Sequence, residues 1–116
     1  MSNILISRWV TNAGLHACVL FVNGSHHCGY VTAPKELQDT HYDAVDCDVH
    51  GGITYSDYLA ELDDEYVFGF DCAHAGDKTK YVKFGAFRTA EYVQKECESL
   101  ATQLVNLVTN QLNFKE

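Results

Sequence analysis

Cationic side chains are scarce in this chain. Its 116 residues include eight lysine and arginine residues against sixteen aspartate and glutamate residues, and the formal net charge is −8. Such a surface repels the phosphates of DNA or RNA, so we expect no direct binding of a nucleic-acid backbone. The same charge favours solubility and can attract a basic groove on another protein.

Paired cysteine motifs and long apolar runs are also missing. The cysteines are odd in number and none forms a CxxC pair, which argues against a structural zinc site built from thiolates. The apolar runs are too short to cross a bilayer, and Met1 to Val10 lacks the cationic start of a signal peptide. We therefore expect free thiols in a reducing cytoplasm and no membrane contact. The five cysteines are Cys18, Cys28, Cys47, Cys72 and Cys97.

Apolar residues, by contrast, are plentiful. Hydrophobic residues make up 47% of the chain, which includes seven tyrosines, six phenylalanines and one tryptophan. A disordered chain carries fewer aromatic side chains, and this length is typical of one domain with its own core. We predict a single domain over residues 1–116.

A β-hairpin is the clearest local signal. Asn23-Gly24 separates the apolar segment Leu15 to Val22 from His26 to Thr32, and both turn residues tolerate a positive φ. Pro34, the only proline, blocks further strand pairing. Asn3 to Val10, ahead of the hairpin, is compatible with a strand or a short helix.

More strands are predicted in the middle of the chain. Ala44 to His50 alternates between apolar and polar residues, which is the period of a half-buried strand. Tyr66 to Asp71 and Tyr81 to Phe87 are two further strand candidates, and Ile53 to Ser56 is predicted to start another. Asp57 to Asp64 has the spacing of a helical turn or a loop.

The C-terminal region predicts one amphipathic helix. Thr89 is placed to cap it, and apolar residues recur at spacings of four and three as far as about Asn110. Together the segments predict an α+β domain, with an antiparallel sheet of four to six strands and this helix packed across it. The apolar stripe also leaves a homodimer open as an alternative. The stripe consists of Val93, Cys97, Leu100, Leu104 and Leu107.

Two short apolar runs end in clusters of carboxylate, imidazole and glycine. His50 closes the first run directly before Gly51-Gly52, where the backbone can turn tightly or approach a ligand. Asp46 and Asp48 share one face of the predicted strand with His50, so a solvated polar row is the alternative interpretation. Hydroxyl groups suited to a phosphate or a sugar follow on Thr54, Tyr55 and Ser56.

Asp71 ends the second run and is followed by His74 and Asp77. A histidine beside a carboxylate can act as a general base, and His50, Asp71 and His74 together offer a divalent metal ion two imidazoles and one carboxylate. In the structural interpretation, Asp71 caps the next turn and His74 packs beside an aromatic ring. Cys72 is expected to face the core as a small hydrophobe rather than to act as a nucleophile.

These clusters predict one shared site. The pattern requires no cofactor, and a divalent metal ion is an open alternative. The candidate catalytic residues are His50, Asp71 and His74. The candidate ligand-binding residues are Asp48, Gly51, Gly52, Thr54, Tyr55 and Asp77.

Four strings of the chain resemble a family of small proteins from phages and prophages that has no settled activity. DCDVHGGITYS (Asp46 to Ser56) and FGFDCAHAGD (Phe68 to Asp77) are the most specific of them. CGYVTAPKE and EYVQKECESLATQL extend the resemblance over Cys28 to Leu104. Family members often carry aromatic residues just before FGFD, where this chain has Tyr66 and Val67.

The resemblance implies a host-cell context, because small accessory phage proteins act on host machinery, including immune systems. The first hypothesis is an anti-defence protein that binds a small ligand, such as a signalling nucleotide, at the His/Asp cluster. The second is an acidic inhibitor that occupies the basic groove of a host or CRISPR-type nuclease. The third is a small hydrolase. A host protein or a nucleotide is the expected partner, and the host cytoplasm is the expected location.

Overall fold

Residues 3–114 form a five-stranded antiparallel sheet and one C-terminal helix. The computed structural model describes residues 3–114, with side chains described for residues 3–110. The sheet has the strand order β1-β2-β3-β5-β4, which confirms the predicted α+β class. The elements are β1 (Asn3–Val10), β2 (His16–Val22), β3 (His26–Thr32), β4 (Tyr55–Leu59), β5 (Glu65–Asp71) and α1 (Ala90–Phe114).

The β2–β3 hairpin forms where the sequence predicts it. Asn23 and Gly24 have φ values of 55° and 66°, and Ser25 N donates a hydrogen bond of 2.9 Å to Val22 O. These angles match the twist of a tight hairpin turn, which explains why asparagine and glycine occupy the two positions. Asn3–Val10, left open as a strand or a helix, is the edge strand β1.

Helix α1 covers one face of the sheet. Thr89 caps it as predicted, because its Oγ1 accepts a hydrogen bond from Tyr92 N at 3.2 Å. The helix continues to Phe114 rather than to about Asn110. Its apolar face packs on β2 and β3 and excludes water from the main core, where burial of each large apolar side chain contributes about 1.5–3 kcal/mol. The fully buried helical residues are Val93, Cys97, Leu100, Ala101 and Leu104.

The segment Ala44 to His50 is not a strand, contrary to the prediction. Its two valines are buried and its two aspartates are exposed, so the alternation is present, but no neighbouring strand pairs with it. Helical side chains bond its backbone instead. Gln103 accepts from Asp48 N at 2.7 Å and donates to Asp48 O at 2.8 Å, while Glu96 accepts from His50 N at 2.7 Å.

Two other predicted elements also differ. Tyr81 to Phe87 is a loop with a single bridge between Asp77 and Ala86 instead of a final strand. Asp57 to Asp64 begins within β4 and then forms a short 3-10 turn at Ala60–Leu62. Apolar residues alone misled the prediction for Tyr81 to Phe87, because that loop leaves most of them in water.

Within residues 3–114, no helix is both long enough and apolar enough to span a bilayer.

Replacing Gln103 by alanine should detach the Ala44 to His50 segment from α1. Each lost hydrogen bond contributes about 0.5–1.5 kcal/mol, so we expect the free energy of unfolding to fall by about 1–2 kcal/mol. The Asp48 amide should also exchange its hydrogen faster in NMR experiments. Thr102→Ala, a change at the exposed neighbouring position, is the matched control. Unchanged exchange at Asp48 in Gln103→Ala would contradict this arrangement.

Candidate functional site

The carboxylate of Asp77 is the centre of the predicted site. It is 1% exposed, although it carries a charge. Its Oδ1 accepts a hydrogen bond from Arg88 Nε at 2.8 Å, and its Oδ2 lies 2.8 Å from His50 Nε2 and accepts from His74 N at 3.1 Å. Burial alone would raise the pKa of Asp77, but the hydrogen bonds from Arg88, His50 and His74 outweigh burial and hold its pKa below the ordinary value.

His50 is fixed through both nitrogens of its ring. Nε2 faces the Asp77 carboxylate, and Nδ1 lies 2.8 Å from the hydroxyl of Tyr92. Because a carboxylate can only accept, the proton of the neutral ring belongs on Nε2, and Nδ1 then accepts from the Tyr92 hydroxyl. No ring nitrogen of His50 is left free for a substrate, so this geometry favours a positioning role.

His74 has the opposite character. Its side chain is 33% exposed and that of Asp71 is 30% exposed. Nε2 of His74 lies 3.2 Å from Asp71 Oδ1, but the two atoms are not aligned for a hydrogen bond. Among the described residues, this buried nitrogen therefore has no hydrogen-bond partner. Asp71 itself is held in place, because it accepts from Thr54 Oγ1 at 2.9 Å and from Ala73 N at 3.1 Å.

Gly51 lies directly against the His74 ring. Its φ is +70°, and a Cβ at this position would collide with Cδ2 and Nε2 of the imidazole. Any larger residue would push the ring away, so the glycine allows the two segments to approach closely. The space beside Gly52 is open, because a Cβ there would meet no atom within 4 Å. The two predicted clusters therefore share one site, with their imidazole ring centroids 6.2 Å apart.

The structure places most, but not all, of the candidate residues in this site. His50, Gly51, Thr54, Asp71, His74 and Asp77 meet there. Asp48 instead bonds through its backbone to Gln103, with its side chain exposed. Tyr55 packs against Tyr30 in the smaller apolar cluster, apart from the helix, and its hydroxyl donates to Tyr58 O at 3.0 Å.

Sequence reasoning missed three residues of the site: Arg88, Tyr92 and Glu96. Tyr92 and Glu96 are four residues apart on α1 and therefore share one helical face, while Arg88 precedes the helix by two residues. The Arg88 guanidinium lies 5.1 Å from the centroid of the Tyr92 ring. Their regular spacing was a usable signal, since Arg88 bonds Asp77 while Tyr92 and Glu96 both bond His50.

The cysteines do not supply a nucleophile to the site. All five are free, and Cys72 is 1% exposed. Burial raises the pKa of Cys72 to about 12, so its sulfur is a neutral thiol at physiological pH. Within residues 3–114, no three histidine, cysteine or carboxylate side chains are grouped to hold a metal ion. A divalent metal ion stays a prediction from the sequence.

No protein-family model, no curated protein and no solved structure matches this chain. The resemblance to phage proteins therefore stays a prediction.

Replacing Asp77 by asparagine should destabilise the fold strongly. The change removes the charge that Arg88 faces and places an amide donor against the donor groups of His50 and His74. Breaking a buried ion pair from one side costs about 3 kcal/mol, and we expect a loss of that size in urea unfolding. The control Asp46→Asn, at an exposed position, should change stability by less than about 0.5 kcal/mol. Equal stability of the two variants would contradict the role assigned to Asp77.

The stabilisation by Asp77 should depend on pH in acid. Its folded-state pKa lies below the ordinary value, so the unfolded chain takes up this proton first as the pH falls. The contribution is fully present above about pH 5 and is lost as the pH falls through the folded pKa. The stability difference between the wild type and Asp77→Asn should therefore shrink below about pH 4 in urea titrations. A difference that stays constant down to the acid unfolding limit would contradict this.

Proposed function

We propose that the protein is a phage-derived accessory protein that acts against host machinery by binding a small ligand. The ligand contacts Asp71 and His74, beside the open space at Gly52. The expected class of ligand is a nucleotide, and the protein removes it from the host by holding it rather than by cleaving it.

The unpaired nitrogen of His74 is the observation that carries this proposal. A buried polar atom without a hydrogen bond costs about 1–3 kcal/mol, and such atoms need an explanation in a folded protein. Nε2 of His74 lies 3.2 Å from Asp71 Oδ1, but the two groups are not aligned for a hydrogen bond. A ligand with a polar group at this position would give the His74 nitrogen the hydrogen-bond partner that it lacks.

The charges around the site support a ligand that carries both phosphate and hydroxyl groups. Arg88 is already paired with Asp77, so the exposed Lys78, which follows Asp77 in the chain, is the cation that we expect an incoming anion to meet. Asp71 and Thr54 offer oxygens to the hydroxyl groups of a sugar. A nucleotide combines an anion with such hydroxyls.

Binding is favoured over hydrolysis by the hydrogen bonds of His50. A general base needs a free lone pair within reach of its substrate, and both ring nitrogens of His50 are engaged with Asp77 and Tyr92. A hydrolase would have to rely on His74 alone, because His50 would have to break one of these bonds first. The hydrolase alternative therefore has less support than binding.

An acidic inhibitor is the second candidate. Four exposed carboxylates lie at the β4–β5 end of the sheet, and Asp63 among them pairs with Arg8 at 2.6 Å. A basic groove on a nuclease would be attracted to this end. The four residues are Asp57, Asp63, Asp64 and Glu65.

A nucleotide panel tests the first candidate. Mono-, di- and triphosphates and cyclic nucleotides are titrated by calorimetry, and we expect one class to bind the wild type. His74→Ala and Asp71→Asn should each weaken that binding about 10-fold or more, because each removes one polar contact. His16→Ala, at the opposite end of the sheet, is the matched control and should bind like the wild type.

Salt and turnover separate the alternatives. A ligand held in the site keeps most of its affinity when salt rises, whereas a basic protein groove held by exposed carboxylates loses it through screening. Suppose that a host nuclease binds the variants Asp63→Asn and Asp64→Asn weakly but binds the variant His74→Ala like the wild type. That result would favour the inhibitor hypothesis. If the wild type cleaves a nucleotide and the variant His74→Ala does not, the hydrolase hypothesis would replace the binding hypothesis.

A further inference from the structure

The loop from Lys78 to Arg88 differs in charge from the rest of the protein. We call it the aromatic–basic loop. It holds four of the eight lysine and arginine residues of the chain, and Asp77 at its start is the only carboxylate among residues 73–90. This stretch therefore has a net charge of +3 in a protein whose total is −8. The net charge hides a local cationic surface.

The loop also exposes most of its aromatic side chains. Tyr81 is 75% exposed, Phe84 is 86% exposed and Phe87 is 45% exposed. Large apolar side chains that stay in water contribute nothing to stability by burial, and a group of them on one surface is typical of an interaction site. The core does not use these rings, so their position in the loop has another cause.

The aromatic–basic loop is held in a defined shape. Lys78 N donates to Ala86 O and Ala86 N donates to Gly76 O, both at 2.9 Å, which closes the base of the loop. Thr79 closes its tip, because its Oγ1 accepts from Tyr81 N and Val82 N at 3.1 Å each. The ion pair between the buried Asp77 and the partly exposed Arg88 anchors the base. A partner therefore meets rings whose backbone is already ordered, which lowers the entropy lost on binding.

The β2–β3 hairpin extends this surface. The ring of Phe87 packs edge-on against His27, with centroids 5.5 Å apart, and against Phe21 at 6.5 Å. His27 Nδ1 lies 2.8 Å from Arg88 O, and Lys80 N donates to Ser25 Oγ at 3.3 Å. These contacts tie the loop to the sheet and set Phe87 at its inner edge, with Tyr81 and Phe84 further out.

Rings and cations alternate in the loop with a regular spacing. The rings follow one another every three residues, at Tyr81, Phe84 and Phe87, and each has a cation as its immediate neighbour in the chain. Lys80 lies over the Tyr81 ring, 5.5 Å from its centroid. One ring beside one cation suits one nucleotide, since the ring stacks on a base and the cation faces a phosphate. The neighbouring cations are Lys80, Lys83 and Arg88.

The acidic β4–β5 end of the sheet is too far away to cancel this charge, and the carboxylates that flank the stretch in the chain are the half-buried Asp71 and the exposed Glu91. The exposed carboxylates near Glu65 are at the start of β5, and the aromatic–basic loop follows its end at Asp71. Seven strand residues separate the two ends by about 20 Å, which exceeds the screening length of about 8 Å at physiological salt. A polyanion can therefore bind at the loop without approaching the acidic end of the sheet.

We propose that the aromatic–basic loop binds single-stranded nucleic acid, with Tyr81 and Phe84 stacking on bases and Lys80 and Lys83 facing phosphates. Stacking requires unpaired bases, so a duplex binds more weakly than a single strand. An anionic membrane is the competing partner for a surface of lysines and apolar side chains. The alternation of single rings with cations fits the nucleotide repeat better than a bilayer, which takes a continuous apolar patch.

The proposal does not rest on the ligand proposed for Asp71 and His74, and the two are separable. His74→Ala removes only the imidazole, and the backbone N–H that bonds Asp77 remains, so the aromatic–basic loop keeps its anchor. This variant should bind an oligonucleotide like the wild type, even if it no longer binds a nucleotide at the site.

Fluorescence anisotropy with a labelled, mixed-sequence oligonucleotide of about twelve nucleotides tests the proposal at low salt. We expect a dissociation constant between about 1 and 100 µM for the single strand and weaker binding of the matching duplex. Tyr81→Ala combined with Phe84→Ala should weaken binding about 30-fold. Lys80→Gln combined with Lys83→Gln should reduce the slope of log K against log salt by about 1.4.

The controls are Tyr58→Ala, an exposed ring on β4, and Lys35→Gln, an exposed lysine outside the loop; both should bind like the wild type. The loop side chains are exposed, so thermal melting should show that the variants remain folded. Three outcomes would overturn the proposal. They are no binding of the single strand at low salt, equal binding by the loop variants, and loop-dependent binding of phosphatidylserine vesicles without binding of the oligonucleotide.

Discussion

The buried carboxylate of Asp77 is the interaction on which the site depends. A charge without water is tolerated only when donors surround it, and here three donors come from three separate segments. Arg88 connects Asp77 to the residues just before α1, His50 connects it to the segment that lies along the helix, and His74 connects it to the turn after β5. One side chain therefore fixes parts of the chain that are distant in sequence, and the aromatic–basic loop is anchored by the same ion pair.

The sequence predicted those parts of the fold whose local chemistry agrees with the tertiary structure. Asn23-Gly24 determines its own turn, and the apolar spacing in α1 matches the face that the sheet covers. The prediction of a strand over Ala44 to His50 was wrong for a physical reason. Burial every second residue arises in any extended segment that packs on a core, and only hydrogen bonds to a neighbour make it a strand. Gln103 supplies those bonds from α1, and no local pattern indicates that.

The two glycine-containing clusters were predicted to meet at the ends of two strands. They do meet, but only the second cluster follows a strand, because Ala44 to His50 has no strand partner. The different roles of the two histidines were not predictable. His50 and His74 look equivalent in the sequence, yet Tyr92 and Asp77 occupy both nitrogens of one ring and leave the other ring without a hydrogen bond in residues 3–114. Asp77, expected to touch a ligand, is fully buried. Burial and hydrogen-bond direction are properties of the assembled fold, and they decide which histidine is available.

The proposed function requires that hydrogen bonds hold both ring nitrogens of His50, while the ring of His74 is available to a ligand. The most direct measurement is the ring nitrogen and ring proton NMR spectrum of the two histidines at neutral pH. The account predicts that His50 carries its proton on Nε2, slowly exchanging and coupled to Asp77, while His74 has no protected ring proton. A His50 ring protonated on Nδ1 alone, or a protected ring proton on His74, would contradict it.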